Sequence, residues 1–99
     1  MDELDPVIHA QARLRVVTVL DTLGVGDSIA FPRLQDVLEM TSGNLATHLR
    51  KLEDAGYVTV TKAHAGRSPV TYLGLSPEGR TAFRAYRVAL MTLLEASAS

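Results

Sequence analysis

The chain has 99 residues, 46% of them hydrophobic and 5% aromatic, with a formal net charge of −1 and no cysteine. This is room for one domain whose core is built from Leu, Val and Ala, with none for a separate catalytic or sensor domain, and it is too apolar for a disordered chain. The missing cysteine excludes disulfides, thiolate metal sites and a cysteine nucleophile, and the near-neutral charge argues against an indiscriminate polyanion binder.

Met1–Asp5 is acidic and lacks the basic region of a secretory leader, so none is expected. No stretch approaches the roughly 20 apolar residues that span a bilayer. Asp5-Pro6 predicts a helix start, with aspartate as N-cap and proline in the first turn. Val7, Ile8, Leu14, Val17, Leu20 and Leu23 then recur at helical spacing, and Gly24 ends the run. Val25–Ser28 reads as a turn. Ile29–Phe31 is too short for a free strand and is expected to join a small sheet as its third strand. Pro32 opens a short second helix with Leu34, Val37 and Leu38 on its buried face. Thr41 reads as the N-cap of a third helix, Leu45, Leu49 and Leu52 as its core face, and Gly56 as its stop. Tyr57–Thr61 and Val70–Leu73 read as strands around a hairpin tip, Ala63–Pro69, that contains Gly66. Ser76-Pro77-Glu78 starts the last helix, expected to run to about Glu95 before a fraying Ser/Ala tail.

Two short helices joined by a tight turn and followed by a β-hairpin are the parts of a winged helix-turn-helix. The fold class expected is therefore α+β, with a three-helix core, a hairpin wing and a C-terminal dimerisation helix. One domain covers residues 1–99, with a recognition helix over about 42–55, a wing over about 57–75 and the last helix over about 77–95. The stretch Leu38 to Val58 resembles the helix-turn-helix of the ArsR and MarR regulator families, and most of all their small stand-alone relatives. The specific part is His48-Leu49, then Leu52, then Ala55-Gly56-Tyr57-Val58. Leu75-Ser76-Pro77-Glu78-Gly79-Arg80 is similar to the entry into the last helix of these families, and Asp5-Pro6 with Ala12-Arg13-Leu14 resembles the ArsR first helix. Two departures stand out: there is no cysteine for an ArsR-type metal site, and the chain is short for the MarR effector pocket. The resemblance implies the fold and DNA binding, and carries over neither metal nor ligand.

With Leu45, Leu49 and Leu52 inward, the helical rotation of about 100° per residue leaves Gly43, Asn44, Thr47, Arg50, Lys51 and Asp54 on the opposite face. The N-terminal half of such a helix enters the major groove. Asn44 can pair with adenine through two hydrogen bonds, Thr47 can donate, accept or pack its methyl on thymine, and Gly43 permits close backbone approach. By the resemblance, Ser42, His48 and Lys51 match positions that contact DNA. His48 sits at the edge of the core face, where a hydrogen bond inside the domain is the alternative. In the wing, Lys62, His64 and Arg67 are basic with no acid among them, and Arg67 is expected to make the main contact. Residues 1–41 carry three basic and seven acidic side chains, whereas residues 42–75 carry four and two, so the positive excess coincides with these elements. Phe83, Tyr86, Leu90, Leu93 and Ser97 follow a heptad-like spacing widened by Ala89 and Leu94. Dimerisation is expected through Phe83, Tyr86, Leu90, Leu93 and Leu94, with the first half of the helix docked on its own domain.

The function expected is a cytoplasmic bacterial or archaeal transcription regulator, a repressor, that binds specific double-stranded DNA as a homodimer. An enzyme is not expected, because there is no nucleophile elbow, no phosphate-binding glycine loop and no acid/base cluster. His9, His48 and His64 are scattered without metal-ligand spacing, so neither a metal nor another cofactor is implied. Two alternatives stay open. One is a winged helix used for protein–protein contact; the other is a small-molecule-responsive repressor with a pocket between the last and first helices at the dimer interface.

Overall fold

A computed structural model describes residues 3–98, with side chains as far as Ala96. The expectations for Met1, Asp2 and the Ser97 side chain lie outside the described residues. In chain order the elements are α1 (Gln11–Asp21), β1 (Ile29–Ala30), α2 (Phe31–Leu38), α3 (Ser42–Asp54), β2 (Val58–Ala65), β3 (Ser68–Leu75) and α4 (Pro77–Ala98). The three strands form one antiparallel sheet in the order β1-β3-β2, with Ile29 opposite Leu73 and Val58 opposite Leu75. Four helices and this sheet make the α+β winged helix read from the sequence.

Each helix contributes an apolar stripe to a common core. Val16, Val17 and Leu20 of α1 meet Leu34 and Leu38 of α2 and the leucine triad of α3. Val58, Leu73 and Leu75 close the core from the sheet, and Phe83 and Tyr86 from α4. Arg15 ties two of the helices together: its guanidinium donates to the Leu38 carbonyl at 2.7 Å, a cation on an orphan C-terminal acceptor of α2.

Local details differ from expectation for identifiable reasons. The first helix starts at Gln11, not at Asp5-Pro6. Asp5 caps a single turn, its Oδ1 accepting from the Val7 amide at 2.9 Å, and Ala10 then adopts an extended backbone that interrupts the helix. The interruption turns Ile8 fully into the core. Val37 is exposed, because the short α2 presents only Leu34 and Leu38 inward. The hairpin strands reach to Ala65 and Ser68, well into the expected tip. α4 continues to Ala98 instead of fraying after Glu95, consistent with the strong helix preference of alanine.

The start of α4 is pinned to the end of α3. Ser76 donates its hydroxyl to the Gly56 carbonyl at 2.5 Å and its amide to the Tyr57 carbonyl at 3.0 Å. Its oxygen accepts from the Gly79 amide at 2.9 Å, capping α4. A Cβ added at Gly79 would stand 2.0 Å from the Tyr57 carbonyl oxygen, so this contact exists because residue 79 has no side chain. On the other side of Tyr57, its phenol donates to Asp5 Oδ2. That hydrogen bond, then burial, then the carboxylate charge push the Tyr57 hydroxyl up to about 12.

Two measurements follow from this junction. Gly79→Ala should lower stability by about 2 kcal/mol or more, as backbone displacement or overpacking demands, and an unchanged urea midpoint would contradict the close approach. The raised Tyr57 value means its stabilisation is whole below pH 10 and is lost as pH climbs from 10 through about 12. Urea midpoints above pH 10 should therefore fall more steeply for the wild type than for Tyr57→Phe; parallel curves would contradict the assignment.

Candidate nucleic-acid interface

α3 forms where its sequence provides both a cap and a stripe. Thr41 is extended and its Oγ1 accepts from the Asn44 amide at 3.2 Å, satisfying one orphan donor of the first turn. Leu45, Leu49 and Leu52 are buried, which turns Ser42, Gly43, Asn44 and Thr47 outward in the first half and Arg50 and Lys51 in the second. The helix's acids, Glu53 and Asp54, fall in its last turn. The exposed N-terminal half is thus polar and free of acids, with backbone amides and side-chain amide and hydroxyl groups accessible.

Two of these residues are sharpened by the structure. Thr47 already donates its hydroxyl proton to the Gly43 carbonyl at 2.9 Å. It therefore offers acceptor lone pairs and a methyl group, but no free donor. Gly43 has ordinary helical backbone, and a Cβ there would meet nothing within 4 Å. Neither a turn nor packing within the domain requires glycine at this place.

His48 is half-buried, and its Nδ1 lies 3.5 Å from Arg13 Nη1. Burial, then the charges of Arg13 and Lys51, hold the imidazole below the ordinary histidine value. With Nδ1 facing a donor, neutral His48 keeps its proton on Nε2. His48 thus has a partner inside the domain, as the alternative reading allowed, while remaining on the α3 surface. Arg13 has no assigned role in the sequence reading. Its Nε donates to the Val7 carbonyl at 2.6 Å, so it braces the N-terminal turn while placing a charge behind α3. The sequence signal was only a basic residue in an otherwise apolar helical stripe.

The wing is a hairpin closed by Gly66-Arg67, with Ala65 paired to Ser68. Gly66 has φ +65° and Arg67 is not in the left-handed region, the pattern of a type II′ turn. Lys62 and His64 lie on β2, opposite Thr71 and Pro69, and not in a loop. Strand alternation puts them on the face of Val58 and Val60, the face that packs on the helices. A depression of about 500 Å³ between α3 and this face is lined by Arg50, Val60 and Thr71 and also by the carboxylates Glu53 and Asp54 from the last turn of α3, so wing and helix border one concave surface whose α3 C-terminal side is acidic. Arg67 is exposed at the second loop position.

On α4, Phe83 and Tyr86 are spent inside the chain's own core, and the Tyr86 hydroxyl lies 2.9 Å from His9 Nδ1. They are therefore withdrawn from the seam expected between two chains. Leu90 and Leu93 are half-buried, with Leu90 against the core, while Leu94 is 54% exposed. Val88 and Met91, at 64% and 55% exposure, lie on the face beside the docked stripe, which the heptad spacing does not follow. Among the described residues no three His, Asp or Glu side chains gather as a metal-ligand set, and no helix is long and apolar enough to cross a membrane.

Comparison with known proteins agrees with this architecture. Residues 13–94 match the family model of the winged helix DNA-binding domain. An uncharacterised protein of Methanocaldococcus jannaschii is 29% identical over 87 residues, spanning 88% of this chain and 91% of its own. A transcriptional regulator homologue from Pyrococcus horikoshii OT3 superposes with a TM-score of 0.83 at 27% identity, covering 91% of this chain and 86% of that one. A possible transcriptional regulator for arsenical resistance superposes with a TM-score of 0.64 at 26% identity, covering 94% and 93%. Structures from the ArsR and MarR families share the fold at lower identity.

The open space around Gly43 makes a prediction that needs no ligand. Gly43→Ala should raise stability by roughly 0.5–1 kcal/mol, the usual gain on replacing a helical glycine. Thermal or urea unfolding checks it, and destabilisation would mean that the glycine serves the fold after all.

Proposed function

Because the chain belongs to the winged helix DNA-binding domain family and has the fold of transcription regulators, we propose that it binds specific double-stranded DNA as a homodimer and represses transcription by occupying its site. The observation that carries this reading is the outward half of α3, polar, acid-free and holding a glycine that the domain itself does not need. In the proposed complex Asn44 reads a base edge, with Gly43 allowing the backbone close and the Thr47 methyl and lone pairs beside it. Ser42, His48 and Lys51 hold phosphates from the helix. Lys62, His64 and Arg67 do so from the wing, with Arg67 outermost. Such a regulator works beside the DNA, in the cytoplasm.

The dimer is supported by the exposed apolar side chains of α4. Val88, Met91 and Leu94 stand out from a 22-residue helix whose first half docks on the core. Pairing these helices, with Leu90 and Leu93 at the margin, covers apolar surface and joins two weakly charged domains. A two-fold arrangement would present recognition helices to successive major grooves about 34 Å apart. Steric occupancy of a promoter needs nothing beyond these surfaces, which is why repression is the sign proposed.

The test is binding to mixed-sequence duplex DNA across a salt series, with light scattering to count subunits. The wild type should be a dimer whose affinity falls steeply with salt; the combined variant Asn44→Ala, Lys51→Ala, Arg67→Ala should lose binding. Arg67→Ala alone should flatten the salt slope by about one phosphate contact. Gly43→Ala should bind more weakly despite its greater stability. A folded wild type that ignores duplex DNA at low salt would sink the DNA reading in favour of a protein partner, and a monomer at micromolar concentration would sink the dimer.

A further inference from the structure

α4 carries a charged and apolar stripe that lies open in the single chain. Arg84, Val88, Met91 and Glu95 follow one another at intervals of 4, 3 and 4 residues. At about 100° per residue they share the helix face turned away from the buried Phe83 and Tyr86. A shallow groove of about 330 Å³ runs along this stripe, with Arg87 and Thr92 beside it. The middle of the stripe is apolar, with Val88 and Met91 more than half exposed. Its ends are charged, with arginines toward the start of the helix and a glutamate toward its end.

These charges are poorly placed for a single chain. Among the described residues Arg84, Arg87 and Glu95 have no hydrogen-bond or ion-pair partner. The positions three and four residues away from each hold no opposite charge, so no pair forms along the helix. Arg84 and Arg87, three apart, repel one another. Glu95 stands in the last turn of α4, where the carbonyl end of the helix disfavours a carboxylate. Arg84 and Glu95 lie about 16 Å apart along the axis, too far to meet within one helix.

Resting on the homodimer proposed above, the geometry points to one arrangement of it: the two α4 helices pack antiparallel about a two-fold axis between Val88 and Met91, with Arg84 of each chain ion-paired to the partner's Glu95. The intervals 4, 3 and 4 read the same from either end, so one register satisfies both halves of the seam. In that register Val88 meets the partner's Met91, and Leu94 comes beside the aliphatic stem of the partner's Arg87. The unfavourable place of Glu95 on its own helix is offset by the basic first half of the partner helix, and the two helix dipoles oppose. A parallel pair would set Arg84 against the partner's Arg84 and Glu95 against the partner's Glu95, like charges at both ends of an apolar seam. Arg84 and Arg87 thus serve self-association, and the phosphate contacts are left to α3 and the wing.

Pairing and orientation are measured separately on the full chain. Sedimentation on dilution gives the dimer dissociation constant. Glu95→Arg and Arg84→Glu should each weaken the dimer by about tenfold or more, because the two-fold axis counts every change twice. The double variant Arg84→Glu, Glu95→Arg should return to within about threefold of the wild type, since the pair is restored with its signs exchanged. Glu39→Arg, the same charge change on α2, should leave the dimer unaltered. Orientation is read from a spin label on Glu78→Cys, a unique site because the chain has no cysteine of its own. Residue 78 stands about 11.5 positions from the axis, so the two labels should be roughly 35 Å apart, against roughly 10–20 Å in a parallel pair. A dimer with the short distance, single reversals without effect, or a double variant that stays dissociated would overturn the arrangement and leave the dimer standing. A wild type that is monomeric at micromolar concentration would overturn both and give this face of α4 to a different partner.

Discussion

The first turn of α4 passes over the backbone at Gly56-Tyr57, and the rest of the architecture hangs on that crossing. Gly79 makes the approach possible, and Ser76 fastens it with hydrogen bonds to Gly56, Tyr57 and Gly79. The end of α3, the start of β2 and the start of α4 therefore meet at one point. Asp5 adds the N-terminal turn through the Tyr57 hydroxyl. The angle between recognition helix and wing, and the direction in which α4 leaves the domain, are both set there. A single glycine controls this because a carbonyl oxygen and a Cβ cannot share the same space.

Away from that point the polar groups divide between holding the fold and facing outward. No buried side-chain polar atom among the described residues lacks a partner, as expected where desolvating an unpaired group costs more than a hydrogen bond returns. Arg13, Arg15 and Arg80 are committed to carbonyls, His48 or Asp21 within the domain. Arg50, Lys51, Lys62 and Arg67 remain exposed on or near α3 and the wing. A net charge of −1 thus coexists with a locally positive surface, and it is the local potential that a phosphate backbone meets.

Much of this was legible in the sequence. Helix caps, period and strand alternation are local properties, so Thr41, the leucine triad of α3, Pro32 and the Ser76-Pro77 start were readable from neighbours a few residues apart. The outward face of α3 followed from the same rotation, and the short strand at Ile29 was expected because it needed a sheet to join. The winged helix fold and its resemblance to the ArsR and MarR families rest on that order of elements.

The tertiary structure decided what depends on partners far along the chain. Periodicity marks the Phe83–Tyr86 stripe as apolar, but not whether it packs on its own core or on a second chain; burial beside residues as distant as Ile8 settled that for these two. Only the folded chain brings Arg13 to His48, 35 positions away, and Tyr57 to Asp5, 52 positions away. The break before Gln11 likewise follows from Asp5 being drawn to Tyr57 and Ile8 into the core, and no local signal competes with that. Sequence by itself determined the elements and the chemistry on their faces, because those rest on short-range sterics and hydrogen bonds. Three-dimensional packing decided which face each element shows to solvent, because that depends on surfaces contributed by distant segments.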